Sequence, residues 1–270
     1  MSMLVLLGRR LTELRTAAAL ALDDAARRVD VPAEWLANVE AGKAHAGLVP
    51  LVMELADLYQ VVEWADRMML VHLARQSKAT NWWRSFGDVV DADCAAYLEV
   101  EQLASTICVY EAYCVPDLLQ TQAYARALLT NLNRGADLDR CVEVCIARQR
   151  TVSDGQTVRA VIDEAALQRS VGGVEVMRDQ LEHLVGLSDD PDMSIQVSPL
   201  ALTGHVPPGV RTTLLCMPGA LPDMVYLKDS VGGHFPEDVA PHQAAFDRAS
   251  RAALPPDESR DFLICLAKEL

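Results

Sequence analysis

The 270-residue chain has no run of 18 consecutive apolar residues, so no membrane-spanning helix is expected. Its first residues, MSMLVLLGRR, put a short apolar run ahead of two arginines, the reverse of a secretory leader. It has no C-x-x-C and no H-x-x-x-H. Cys141 and Cys145 share a helix face with no second ligand pair nearby, so no metal site is expected. GxGxxG, GxxxxGK(S/T) and GxSxG are all absent, which removes dinucleotide, P-loop and nucleophile-elbow chemistry. No cofactor is expected. There is no repeat of fixed period and no low-complexity tract. Positive charge is also scarce: 24 Lys+Arg against 38 Asp+Glu leave a net charge of −14. A chain that grips nucleic acid through phosphates shows a basic patch or stripe, so the balance disfavours DNA as the main partner. Seven cysteines scattered among apolar residues fit reduced thiols in a cytoplasmic protein and not a disulfide scaffold.

What is present is a chain with 51% hydrophobic residues, enough to bury a sizeable core. Leu4, Leu7, Leu11, Leu14 and Ala18 recur at spacings of three and four, which predicts a helix over 3–19. Shorter helices are expected at 22–29, 33–41, 48–58 and 62–76, with Pro32 opening the third helix and Gly42 ending it. Five helices in under 80 residues make an all-α domain over 1–76. Residues 77–93 read as a linker carrying Trp82 and Trp83. Beyond it, 94–112, 117–131, 137–151, 173–188, 238–254 and 256–268 read as helices, and 158–163, 193–199, 211–217 and 224–227 as strands. The expected fold is therefore α+β and predominantly helical. A five-helix N-terminal domain precedes a larger domain, 94–270, of helices plus a small, mostly antiparallel sheet.

The segments LGRRLTELRTAAAL (7–20) and DDAARRVDVPAEWLANVEAGK (23–43) resemble an XRE-type, Cro/repressor-like helix-turn-helix domain. NWWRSFGDVV (81–90), YEAYCVPDLLQTQAYARALL (110–129), RQRTV (148–152), DEAALQRSVGGVEVMRDQLEHL (163–184) and IQVSPL (195–200) resemble its companion in a large actinobacterial family of regulators with an antitoxin-like C-terminal domain. The resemblance implies DNA binding by a dimer whose recognition helices lie about one DNA turn apart. It also implies an effector or partner protein for the second domain.

The residues at the reading surface argue against the first implication. The resemblance leads one to expect Thr-Gln where this chain has Ala21-Leu22, and a row of Ser, Thr and Arg where it has Glu34, Trp35, Ala37, Asn38 and Ala41. Leu22 cannot donate to a phosphate or a base edge, and Glu34 repels phosphate. The residues left for DNA are Arg27, Arg28, Asn38 and Lys43. The frame residues Leu36, Val39, Glu40 and Gly42 persist. Residues 1–76 hold 8 Lys+Arg and 10 Asp+Glu, a charge of −2, which leaves −12 for the remainder.

In the second domain the candidate acid–base groups are Glu111, Asp163, Glu164, His205 and His234. Asp163-Glu164 at a helix start also fits plain N-capping, and the two histidines also fit surface loops. Trp82, Trp83, Tyr110, Tyr226 and Lys228 are the candidate ligand-binding residues. Lys228 stands where the resemblance leads one to expect an acidic residue, and a cation near Tyr226 suits an anionic ligand. Three readings follow. The chain is a regulator homologue that has lost direct DNA reading and binds a small metabolite or a partner protein. Alternatively, it is a cofactor-independent enzyme of specialised metabolism, promoting a cyclisation or rearrangement on a regulator scaffold. The third reading is an ordinary dimeric transcription factor.

Overall fold

The computed structural model describes residues 2–43, 48–75, 82–131, 137–152, 155–201, 211–228 and 232–270. The chain forms two units. One unit gathers Met1–Trp82, Ala95–Leu103 and Met217–Pro222; the other gathers Trp83–Cys94, Ala104–Cys216 and Asp223–Leu270.

The first unit is built on five helices: α1 (Ser2–Ala17), α2 (Leu22–Arg28), α3 (Ala33–Glu40), α4 (Leu48–Leu58) and α5 (Trp64–Ala74). The predicted stripe on α1 is buried, with Leu4, Leu7 and Leu11 almost without exposure. Arg15 near its end donates from Nη1 to the carbonyl of Leu20 at 2.9 Å, which helps close the helix. α2 and α3 meet through a short turn in which Asp30 takes φ 51°, a left-handed conformation that Asp tolerates. Gly42, at φ 69°, ends α3 against Val5 of α1, where a side chain would collide with backbone. Gly8 lets α1 and α3 touch. A Cβ there would overlap the Glu40 carbonyl oxygen and come within 2.8 Å of the Val39 carbonyl oxygen.

Residues 94–112, expected as one helix, divide into α6 (Ala92–Glu101) and a strand, β1 (Thr106–Glu111). β1 is buried on both faces, so it shows a continuous β-branched and aromatic run instead of an alternating pattern. The remaining strands are β2 (Thr157–Asp163), β3 (Met193–Ser198), β4 (Arg211–Cys216), β5 (Met224–Lys228) and the two-residue β6 (Gly233–His234). They form one six-stranded sheet in the order β3-β2-β1-β4-β5-β6. The α+β class expected from sequence is the one observed, and the sheet is mixed. β1, β2 and β3 run parallel, while β4, β5 and β6 add antiparallel to the other side of β1.

The parallel half follows from its connections. α7 (Gln122–Asn131) and α8 (Leu138–Thr151) carry the chain from β1 to β2; α9 (Glu164–Leu167) and α10 (Val174–Leu187) carry it from β2 to β3. A 3-10 turn at Asp117–Leu119 replaces the first part of the helix expected over 117–131. The closing helices are α11 (Ala240–Ala252) and α12 (Pro256–Glu269). Because side chains alternate along a strand, the sheet has two distinct faces. One packs Cys108, Tyr110, Val161, Leu214 and Val225 against Phe246, Ala249 and Ala253 of α11 and its end. The other carries Val109 and Glu111 of β1, Arg211 and Thr213 of β4, and Tyr226 and Lys228 of β5.

Candidate functional site

Two places concentrate the residues that sequence reasoning singled out. The first is the exposed side of α2 and α3. α2 begins at Ala21 with no side-chain cap, and Asp23 and Asp24 fill its first turn. Arg27 is ion-paired with Asp24 on its own helix. Along α3, Glu34 and Asn38 are exposed, Trp35 and Ala37 half-buried, and Leu36 and Val39 buried. Arg28 and Lys43 are exposed. Apart from Glu40, residues 22–43 hold three cations against four acids, so the face is net negative. Glu40 is not part of that face. Both of its carboxylate oxygens accept from Arg15 of α1, at 2.7 Å and 2.8 Å, and Thr12 adds a hydroxyl at 3.1 Å.

The second place is one end of the sheet. The register pairs Tyr110 with Thr212 and Arg211 with Lys228, so Glu111, Arg211 and Lys228 form a row across β1, β4 and β5. Arg211 Nε is ion-paired with Glu111, and Arg211 Nη2 lies 2.8 Å from Asp117 Oδ1. Arg148 of α8 approaches the other oxygen of Asp117 at 3.2 Å. Asp117 is held in place by its own backbone. Gln149 Nε2 donates to the carbonyls of Asp117 and Gln120, both at 2.8 Å, and Gln120 donates to the Val115 carbonyl at 2.7 Å. Cys114 Sγ lies 3.9 Å from Glu111 Oε2.

Glu111 is only 2% exposed. Burial pushes its carboxyl up to about 7, against the pull of Arg211 and with a further push from Asp117. For Asp117 burial also acts upward, but Arg211, Lys228 and Arg148 together outweigh it and hold the carboxylate below its ordinary range. Burial would lower Arg211, yet Asp117 and Glu111 keep it firmly protonated. The thiols of Cys114 and Cys145 are both pushed up to about 12 by burial, so they remain protonated bystanders. Among the described residues Lys228 makes no ion pair; it acts on Glu111 and Asp117 through its charge.

The other sequence candidates lie apart from this row or are engaged structurally. Tyr110 is on the opposite face of β1, buried at 1% exposure, and its hydroxyl donates to Asp163 at 3.2 Å. Asp163 caps α9 by accepting from the Ala165 amide at 3.0 Å. Glu164 accepts from Gln168 at 2.7 Å and from the Leu200 amide at 2.7 Å. His234 is exposed and pairs with Leu227, which puts it on the face away from Lys228. Tyr226 shares the face of Lys228, and its ring is 5.1 Å from that of Phe235. Trp82 and Trp83 form a 3-10 turn with Phe86, Trp83 being buried, and the guanidinium of Arg140 stacks 4.4 Å over Phe86. His205 and the first part of the expected linker, 77–81, lie outside the described residues.

Sequence reasoning found Glu111 and Lys228 and missed Asp117, Arg148 and Arg211. A signal for two of these was there: Asp117 and Arg148 fall inside the motifs at 110–129 and 148–152. Among the described residues no group of three or more His, Cys, Asp and Glu side chains could hold a metal ion, and no helix is long and apolar enough to cross a membrane.

The helical pair and the larger mixed-sheet unit define a helix-turn-helix, regulator-like architecture. A helix-turn-helix domain family matches residues 6–66. The family described as a domain of unknown function, DUF5753, matches residues 94–264, and the chain belongs to it. No curated protein and no solved structure matches the chain.

Proposed function

We propose that this protein is a homologue of XRE-type regulators in which the helix-turn-helix has become a structural module and the second unit binds a small metabolite or a partner protein. One observation carries the reading: the exposed side of α2 and α3 keeps its frame but is poor in donors for DNA, with Arg28, Asn38 and Lys43 set against a net-negative surface. Glu34 and Ala41 occupy exposed positions of the reading helix and its end, Asn38 stands alone, and Arg27 is engaged by Asp24. Phosphate contacts supply most of the affinity of such domains, and a net-negative face forfeits them.

The test is a mobility-shift titration of the full chain against its own upstream DNA over a series of salt concentrations. The expected result is weak binding with no sequence preference. A tight, sequence-specific and salt-dependent complex would return the protein to the ordinary transcription factors.

One observation favours a second reading, catalysis without a cofactor. Glu111 is a buried carboxyl whose proton is held near pH 7 beside a fixed guanidinium, the state that suits a general acid–base residue. On that reading, turnover of a candidate pathway intermediate is lost in Glu111→Gln and retained in Glu164→Gln.

A further inference from the structure

Three cations and two carboxylates converge at the end of the β1–β4–β5 face: Arg148, Arg211 and Lys228 against Glu111 and Asp117. This is a local positive excess in a chain of net charge −14. It is also placed where a sheet would not put it for stability alone. Arg211 and Lys228 are direct cross-strand partners, and like charges directly opposite each other are destabilising. Asp117 is shared between Arg211 and Arg148, and among the described residues Lys228 makes no ion pair.

We propose that Arg211 and Lys228 form a binding site for the oxyanion of a small metabolite, a carboxylate or a phosphate ester, and that Glu111 is the group this oxyanion displaces from Arg211. The proposal rests on reading the second unit as a small-molecule binder, and it names the site and the chemistry within it. Arg211 suits the task because Asp117 fixes one end of its guanidinium and the 117–120 turn in turn fixes Asp117. An arginine oriented beforehand loses little freedom when it takes a ligand. The ligand oxyanion then lies over the face of the two paired strands, bridging Arg211 and Lys228.

Displacement of Glu111 has a consequence for protons. The charged groups acting on Glu111 are Arg211 on β4, Lys228 on β5 and Asp117 in the 3-10 turn, with Cys114 preceding that turn. Tyr124 of α7 is also within its electrostatic reach. An arriving anion adds a negative charge to this set while taking Arg211 from Glu111. Both changes drive Glu111 to its neutral form, so above pH 7 the site takes up a proton as it takes up its ligand.

The experiment is calorimetric titration of the full chain with sulfate and, separately, succinate, at about pH 8 in buffers of different ionisation enthalpy. Saturable binding of either probe with uptake of up to about one proton is expected. Sulfate alone assigns a phosphate-type ligand and succinate alone a carboxylate. Lys228→Met, whose fold is checked by circular dichroism, should weaken binding about tenfold. Glu111→Gln should abolish the proton uptake and tighten binding about tenfold at the same pH. No saturable binding of either probe to the parent and to Glu111→Gln overturns the site. So does binding that Lys228→Met leaves unchanged. Where the site fails in this way, a thermal shift produced by an uncharged metabolite and unchanged in Lys228→Met would still leave the second unit a binder.

Discussion

Arg15 and Glu40, 25 residues apart, meet across α1 and α3 in a two-pronged ion pair, with Nε and Nη2 each on its own carboxylate oxygen at 2.7 Å and 2.8 Å. Both side chains are largely withdrawn from water, at 16% and 8% exposure. The pair also lies beside the buried Tyr59, whose hydroxyl burial pushes up to about 12. Removing one partner leaves the other charge poorly solvated, so Glu40→Ala should cost about 3 kcal/mol. Urea unfolding of the full chain measures it. A loss within the scatter of surface substitutions would show that the pair is ornamental to α3.

Gly8 gives a sharper test of the same contact. Gly8→Ala must push α3 off α1, because the new methyl would meet backbone carbonyls that cannot rotate away. A loss of about 2–3 kcal/mol is expected. Gly186 in α10 is the control, since an added Cβ meets nothing within 4 Å. Gly186→Ala should stabilise by about 0.5–1 kcal/mol through helix propensity.

The reading surface can be rebuilt. Ala21→Thr supplies the missing N-cap of α2 and should add about 1 kcal/mol of stability. Adding Leu22→Gln and Asn38→Arg restores phosphate and base donors, and DNA affinity should rise at least about tenfold in a fluorescence anisotropy titration. Little change would mean that the native face already reads DNA by other means.

Glu111 sets a pH dependence whose sign is fixed. Its folded value, about 7, is above its ordinary 4.5, so the folded chain holds the proton more tightly than the unfolded one. The stability linked to it is full below about pH 4.5 and is lost as pH rises through about 7. Relative to Glu111→Gln, the parent should therefore lose up to about 3 kcal/mol between those limits. Parallel denaturation curves at several pH values check it. A parent that gains stability over that interval would refute the raised carboxyl.

The helices of the first unit were legible because each shows a three-four spacing and a punctuating residue, as with Leu4, Leu7 and Leu11 on α1 or Gly42 after α3. β1 was not legible, because Ile107, Val109 and Glu111 are buried on one face as fully as Cys108 and Tyr110 are on the other. A strand buried on both sides has no period to read. The charged row was hidden for a different reason. Glu111 lies a hundred residues before Arg211 and Lys228 lies 17 after it, and only the register of β1, β4 and β5 makes the three neighbours. Sequence shows each residue singly, and a lone Arg at the start of a strand carries no sign that it faces a buried carboxylate.

The first unit is not one stretch of polypeptide, since Ala95–Leu103 and Met217–Pro222 return to it from later in the chain. A protein cut after residue 75 would release helices α1 to α5 without Tyr97, Leu98 and Val100, all buried, and without the connection between β4 and β5. The chain thus crosses five times between the unit that holds the helix-turn-helix and the unit that holds the sheet, so the helix-turn-helix cannot be excised, swapped or fused as a simple cassette.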